Sequence, residues 1–95
     1  MRLDLQKSEF LKNRILEVDP EAEVYLFGSR TDANQKGGDI DVLILSEHHL
    51  PRNVLRKIKI GFYAEFGYQN LDLVNFTFDE EAPFKKLALL DAIRL

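Results

Sequence analysis

The chain has 95 residues, is 45% hydrophobic and 31% charged, and carries a formal net charge of -3 with a pI near 5.3. A chain of this size builds one core with little to spare, so a single domain over residues 1–95 is expected. The acidic balance disfavours direct nucleic-acid binding, because phosphate backbones select basic faces. No run of about 18 apolar residues offers a membrane span. Met1-Arg2-Leu3-Asp4 lacks the apolar block of a secretion signal. Cysteine is absent, which removes disulfides and thiolate metal sites and fits a cytoplasmic protein.

The first element is a predicted helix from about Asp4 to Val18, capped by Asp4, with Leu11, Ile15 and Val18 on one face. Asp19-Pro20 stops it. Glu23 to Phe27 is β-branched and aromatic and reads as a strand, which Gly28-Ser29 breaks. A polar stretch ending in the turn signal Gly37-Gly38 leads to a second strand, Asp39 to Leu45. Leu50-Pro51 opens a second helix with an apolar stripe of Val54, Leu55, Ile58, Phe62 and Phe66. Arg52, Arg56 and Lys59 form its opposite face, and Gly67 ends it. Leu71 to Phe76 is the third strand. Asp79 is expected to cap a last helix, with Pro83 in its first turn and Phe84, Leu87, Leu90 and Ile93 packing it. The order predicts a small α/β (α+β) domain: a mixed sheet with helices packed on one face.

Residues i and i+2 of a strand share a face, so Asp39 and Asp41 project together, roughly 7 Å apart at their Cα atoms. Two carboxylates without a basic neighbour repel unless a cation sits between them. Such oxygen donors suit Mg²⁺, which completes its shell with water and substrate phosphates. Asp72 interrupts an apolar run, where an unpaired charge is costly to bury, and becomes a third ligand if strands two and three are neighbours. Gly28-Ser29 supplies a turn that lets phosphate oxygens approach backbone amides. His48-His49 reads as a polar loop, the basic face of helix two as solvated, and Tyr25, Tyr63 and Tyr68 as packing residues.

The stretch LFGSRTDANQKGGDIDVLIL, followed by Asp72 in LDLV, resembles the signature of the DNA polymerase β nucleotidyltransferase superfamily. The resemblance spans residues 24 to 76. Short single-domain members of that superfamily are the minimal nucleotidyltransferases (MNT), usually encoded with a helical HEPN partner as toxin–antitoxin pairs, and the chain resembles these. The ending LLDAIRL resembles the final helix of such chains. The spacer between Ser29 and Asp39 is nine residues, and Thr31-Asp32 stands where the family carries a second arginine with glycine.

The resemblance implies that Gly28, Ser29 and Arg30 bind the triphosphate. Asp39 and Asp41 would then coordinate two Mg²⁺ ions, and Asp72 would hold one of them and help deprotonate the attacking hydroxyl. It further implies transfer of a nucleoside monophosphate, AMP from ATP, to a hydroxyl of the HEPN toxin, with tyrosine as acceptor. The alternative is a catalytically weak antitoxin that acts by occlusion. Leu43, Leu45, Val74 and Phe76 share the face of the three aspartates and are expected to lie uncovered, ready for a HEPN-type partner or a second copy of the chain.

Overall fold

The computed structural model describes residues 4–28 and 39–95. Helix α1 runs Leu5–Val18, strand β1 Glu23–Phe27, β2 Asp39–Ser46, helix α2 Arg52–Phe66, β3 Asn70–Thr77, helix α3 Pro83–Leu89 and β4 Ile93–Arg94. Asp4 caps α1, its carboxylate accepting from the Gln6 amide at 2.8 Å. Gly67 ends α2 with φ 86°, its amide donating to the Tyr63 carbonyl at 2.8 Å. This left-handed position suits glycine, which has no Cβ to clash there.

The four strands form one mixed sheet in the order β3-β2-β1-β4. β2 runs parallel to β3, with α2 as the crossover, and antiparallel to β1; β4 is antiparallel to β1. The α+β fold expected from the sequence is the one observed. Helices α1 and α2 share one face, where Leu11, Ile15, Ile58 and Phe62 pack on Val24, Leu26, Ile40, Val42, Ile44 and Leu71. Val18, expected on that inner face, is exposed.

The second face differs from the expectation. Leu43 and Leu45 are buried there, against Ala88 of α3, with Tyr25, Phe27, Val74 and Phe76 packed around them. The face is therefore covered over its upper half by the chain's own third helix. Leu45 and Phe76 belong to the fold's own packing and are not a vacant docking surface. A charge at Leu45 is expected to unfold the domain, because an unpaired buried charge has no compensating partner.

The C-terminal segment is a further correction. α3 begins at Pro83 with Ala82 as its cap, not at Asp79, and ends at Leu89. Ile93, expected to pack the helix, instead pairs with Leu26 in β4. The resemblance of LLDAIRL to a terminal helix fails at that point: the β1 edge offers unpaired backbone groups, and pairing satisfies them. Among the predicted packing residues of α3, Leu87 and Leu90 are 66% and 80% exposed. The inward positions are Lys85 and Ala88.

Lys85 explains this orientation. Its ammonium donates to three backbone carbonyls, those of Thr77 (3.0 Å), Phe78 (2.8 Å) and Glu80 (2.9 Å). All three of its donors are used, which makes a lysine only 8% exposed tolerable and fixes the β3–α3 connection. A similar polar pin holds the start of α2. The Asn75 amide donates to the Ile44 carbonyl and to Ser46 Oγ, and its oxygen accepts from the Leu50 amide at 2.6 Å.

Candidate active site

The alternation of β2 sends Ile40, Val42 and Ile44 into the main core and Asp39, Asp41, Leu43 and Leu45 to the other face. β3 alternates in step. The parallel register places Asp41 opposite Asp72 and Asp39 opposite Asn70. Neighbouring strands lie about 4.8 Å apart, so Asp41 and Asp72 stand side by side. On the other flank Asp41 pairs with Phe27, the last residue of β1. The three aspartates and the end of β1 thus meet on one face, beyond the rim of α3.

Gly28 completes this corner. Its φ is 75°, and a Cβ placed on it would stand 2.6 Å from Asp41 Oδ2. Any larger residue would push the carboxylate aside. The glycine thus does two jobs at once: it turns the chain out of β1 and lets backbone lie against Asp41. Ser29 and Arg30, the other two residues expected at the triphosphate, lie outside the described residues.

Asp41 is half-buried, whereas Asp39 and Asp72 are exposed. The cost of burial therefore does not single out Asp72, as its apolar neighbours had suggested; its register opposite Asp41 does. Among the described residues, no three acidic or histidine side chains converge as placed into a cation cage. What the backbone supplies is a set of hard carboxylate oxygens on adjacent strands, the donor chemistry that suits Mg²⁺ shared with phosphates.

Other candidate features settle into structural roles. His49 Nε2 lies 2.8 Å from Glu80 Oε1, a hydrogen-bonded contact at the start of the α3 connection. The His49 hydrogen bond, followed by one from the Thr77 amide, holds the Glu80 carboxyl below its ordinary pKa. Tyr25, on the aspartate face, donates to Glu23 Oε1 at 2.6 Å. That hydrogen bond and then burial push the phenol above its ordinary value, so it stays protonated. Tyr68, expected to pack, is 79% exposed and leans on Tyr63, with ring centroids 5.1 Å apart. No helix among the described residues is long and apolar enough to cross a membrane.

A pocket of about 290 Å³ adjoins Gly28, walled by Phe27, by Phe84 and Leu87 from α3 and by Leu90 just after it, with Asp91 also lining it. Sequence reasoning missed it. Periodicity marked the α3 residues as packing positions, and only the Lys85 anchor turns them outward.

The α+β sheet thus carries paired carboxylates on β2, a third on its parallel neighbour β3, and a glycine turn against them. The profile of the nucleotidyltransferase domain family matches residues 8–95, and the chain belongs to that family. No protein of curated function matches the sequence. Among solved structures, the fold resembles a chain of the toxin–antitoxin pair MntA–HpeT, with 16% identity over 95% of this chain and 72% of that one (TM-score 0.69). It also resembles a chain of a toxin–antitoxin complex with AMP-PNP, with 20% identity over 97% and 72% (TM-score 0.68). A third is from the tri-AMPylated Shewanella oneidensis HEPN toxin in complex with MNT antitoxin, with 16% identity over 93% and 70% (TM-score 0.60). At these identities the likeness is one of fold.

Proposed function

We propose that this chain is an MNT-type antitoxin of the cytoplasm that transfers AMP from ATP to a tyrosine hydroxyl of a HEPN-type toxin. The observation that carries the reading is the register that sets Asp41 beside Asp72, with Gly28 against Asp41. The fold likeness to toxin–antitoxin structures, one with AMP-PNP and one with an AMPylated HEPN toxin, supports the partner and the nucleotide.

In this reading Gly28, with Ser29 and Arg30 after it, holds the triphosphate. Asp39, Asp41 and Asp72 would hold two Mg²⁺ ions, which when bound would supply charge neutralisation and polarisation at the phosphates. Asp72 takes the proton of the acceptor hydroxyl. The acceptor oxygen bonds to the α-phosphorus as the bond to the α,β-bridging oxygen breaks, and pyrophosphate leaves with that electron pair. The open half of the aspartate face, past the rim of α3, is where an acceptor would enter.

The test is to incubate the chain with the protein encoded beside it, Mg²⁺ and each labelled nucleoside triphosphate. Wild type should label the partner on tyrosine from ATP. Asp41→Asn should lower labelling by at least about a hundredfold, the scale on which single electrostatic groups act. Neutralisation of the partner by Asp41→Asn as effective as by wild type would instead establish occlusion.

A further inference from the structure

The pocket beside Gly28 is not used by the carboxylate chemistry, and its walls are unusual for a surface. Phe84 is 49% exposed, and Leu87 and Leu90 more so, yet all three surround a concavity that shares Gly28 with the corner holding Asp41. Phe84 is held edge-on to Phe27, with ring centroids 5.8 Å apart and planes at 85°, and rests against Phe76 at 6.3 Å. Its ring is thus fixed from behind and remains partly open in front. The anchor is Lys85, the adjacent residue, whose three carbonyl contacts fix the start of α3.

We infer that this pocket binds the nucleoside end of the triphosphate substrate, with Phe84 as the stacking surface for the base and Asp91 as its polar contact. The inference rests on the proposed nucleotidyl transfer and says which residues read the nucleotide. Three features carry it. At about 290 Å³ the pocket is at the small end of ligand sites, suited to a nucleoside and too confined for a folded partner element. A phosphate chain lying on the Gly28 turn delivers its nucleoside next to that turn. The walls are apolar and aromatic, as a flat base requires, while the single carboxylate in the lining only accepts hydrogen bonds. An acceptor-only group favours bases with an exocyclic amino group, adenine and cytosine among them, and repels the corresponding carbonyl of uracil.

The test is binding by the 95-residue chain with Mg²⁺, measured calorimetrically for ATP, UTP and inorganic tripolyphosphate. Phe84→Ala should weaken ATP by about five- to a hundredfold, the range of one lost base–aromatic stack, and leave tripolyphosphate unchanged. Phe84→Tyr, which keeps the π-face, should restore ATP binding. Asp91→Asn should narrow the preference for ATP over UTP. Leu90→Ser, at a wall position that is 80% exposed, gives a second reading and should weaken ATP more than tripolyphosphate.

Unchanged ATP affinity in Phe84→Ala and Leu90→Ser overturns the nucleoside assignment and leaves the proposed transfer standing. So does equal weakening of ATP and tripolyphosphate, which marks damage to the fold. Loss of the protein partner with no change in ATP affinity reassigns the patch to protein docking. Wild type that binds neither ATP nor tripolyphosphate overturns both readings.

Discussion

The two faces of the sheet are built differently. On the α1/α2 face, Leu11, Ile15, Leu26, Ile40, Val42, Ile44 and Phe62 are fully buried, and Phe10, Phe62 and Phe66 interlock through ring contacts of 5.0–6.0 Å. On the other face Leu43 alone among the described residues is fully buried, beneath a helix of seven residues. That short helix covers the C-terminal half of β2 and stops before the aspartates. The first face stabilises the fold. The second leaves Asp39 and Asp72 exposed and Asp41 half-buried, the access that the proposed transfer to an acceptor would require. A helix long enough to seal it would bury Asp39 and Asp72, and taking carboxylates out of water is costly.

The comparison is open to direct attack. Phe62→Ala should cost about 3–5 kcal/mol in denaturant unfolding, since it leaves a cavity in the sealed core. Phe76→Ala, on the half-covered face, should cost less than half as much, because the site already borders solvent. Equal costs would mean that both faces are sealed cores.

Lys85 ties the two regions together and was invisible to pattern reading. Lys85→Met keeps the aliphatic stem but leaves the carbonyls of Thr77, Phe78 and Glu80 without their donor. A loss of about 2–3 kcal/mol is expected, with α3 the first segment to gain amide hydrogen exchange. Protection lost first in α1 would show that α3 is not hinged on this residue.

Gly28→Ala sharpens the contrast within the open face. A Cβ at φ 75° costs about 1–2 kcal/mol of strain and collides with Asp41 Oδ2. Transfer should fall far more than stability does, so the decisive readout is activity at a temperature where the variant is fully folded. A variant with normal turnover would show that Asp41 does not depend on this close approach.

The smallest effect concerns Glu80. Its carboxyl is held below the ordinary pKa by His49 and the Thr77 amide, so it favours the folded state above the usual carboxylate range. That contribution fades as pH falls below about 4.3 and through the lowered folded value. Glu80→Gln should therefore unfold slightly earlier near neutrality and show a shallower acid dependence of Tm. Parallel acid limbs for the two proteins would remove Glu80 from the connection's stability.

Much of this was legible in the residues. Strand alternation alone puts Asp39, Asp41 and Asp72 on a face opposite the main core, because successive side chains must point to opposite sides. Asp4, Pro51 and Gly67 mark helix ends through backbone chemistry that is local. Gly28 marks the end of β1 for the same reason. Register, by contrast, is a long-range property: that Asp41 and not Asp39 stands beside Asp72 depends on how β3 docks against β2 after a fifteen-residue helix. The direction in which α3 faces was decided by Lys85 meeting three carbonyls that only the folded connection brings together. The strand at Ile93–Arg94 exists because the β1 edge was free to take it. Local periodicity fixes which side chains share a face, and only tertiary contact decides which faces meet.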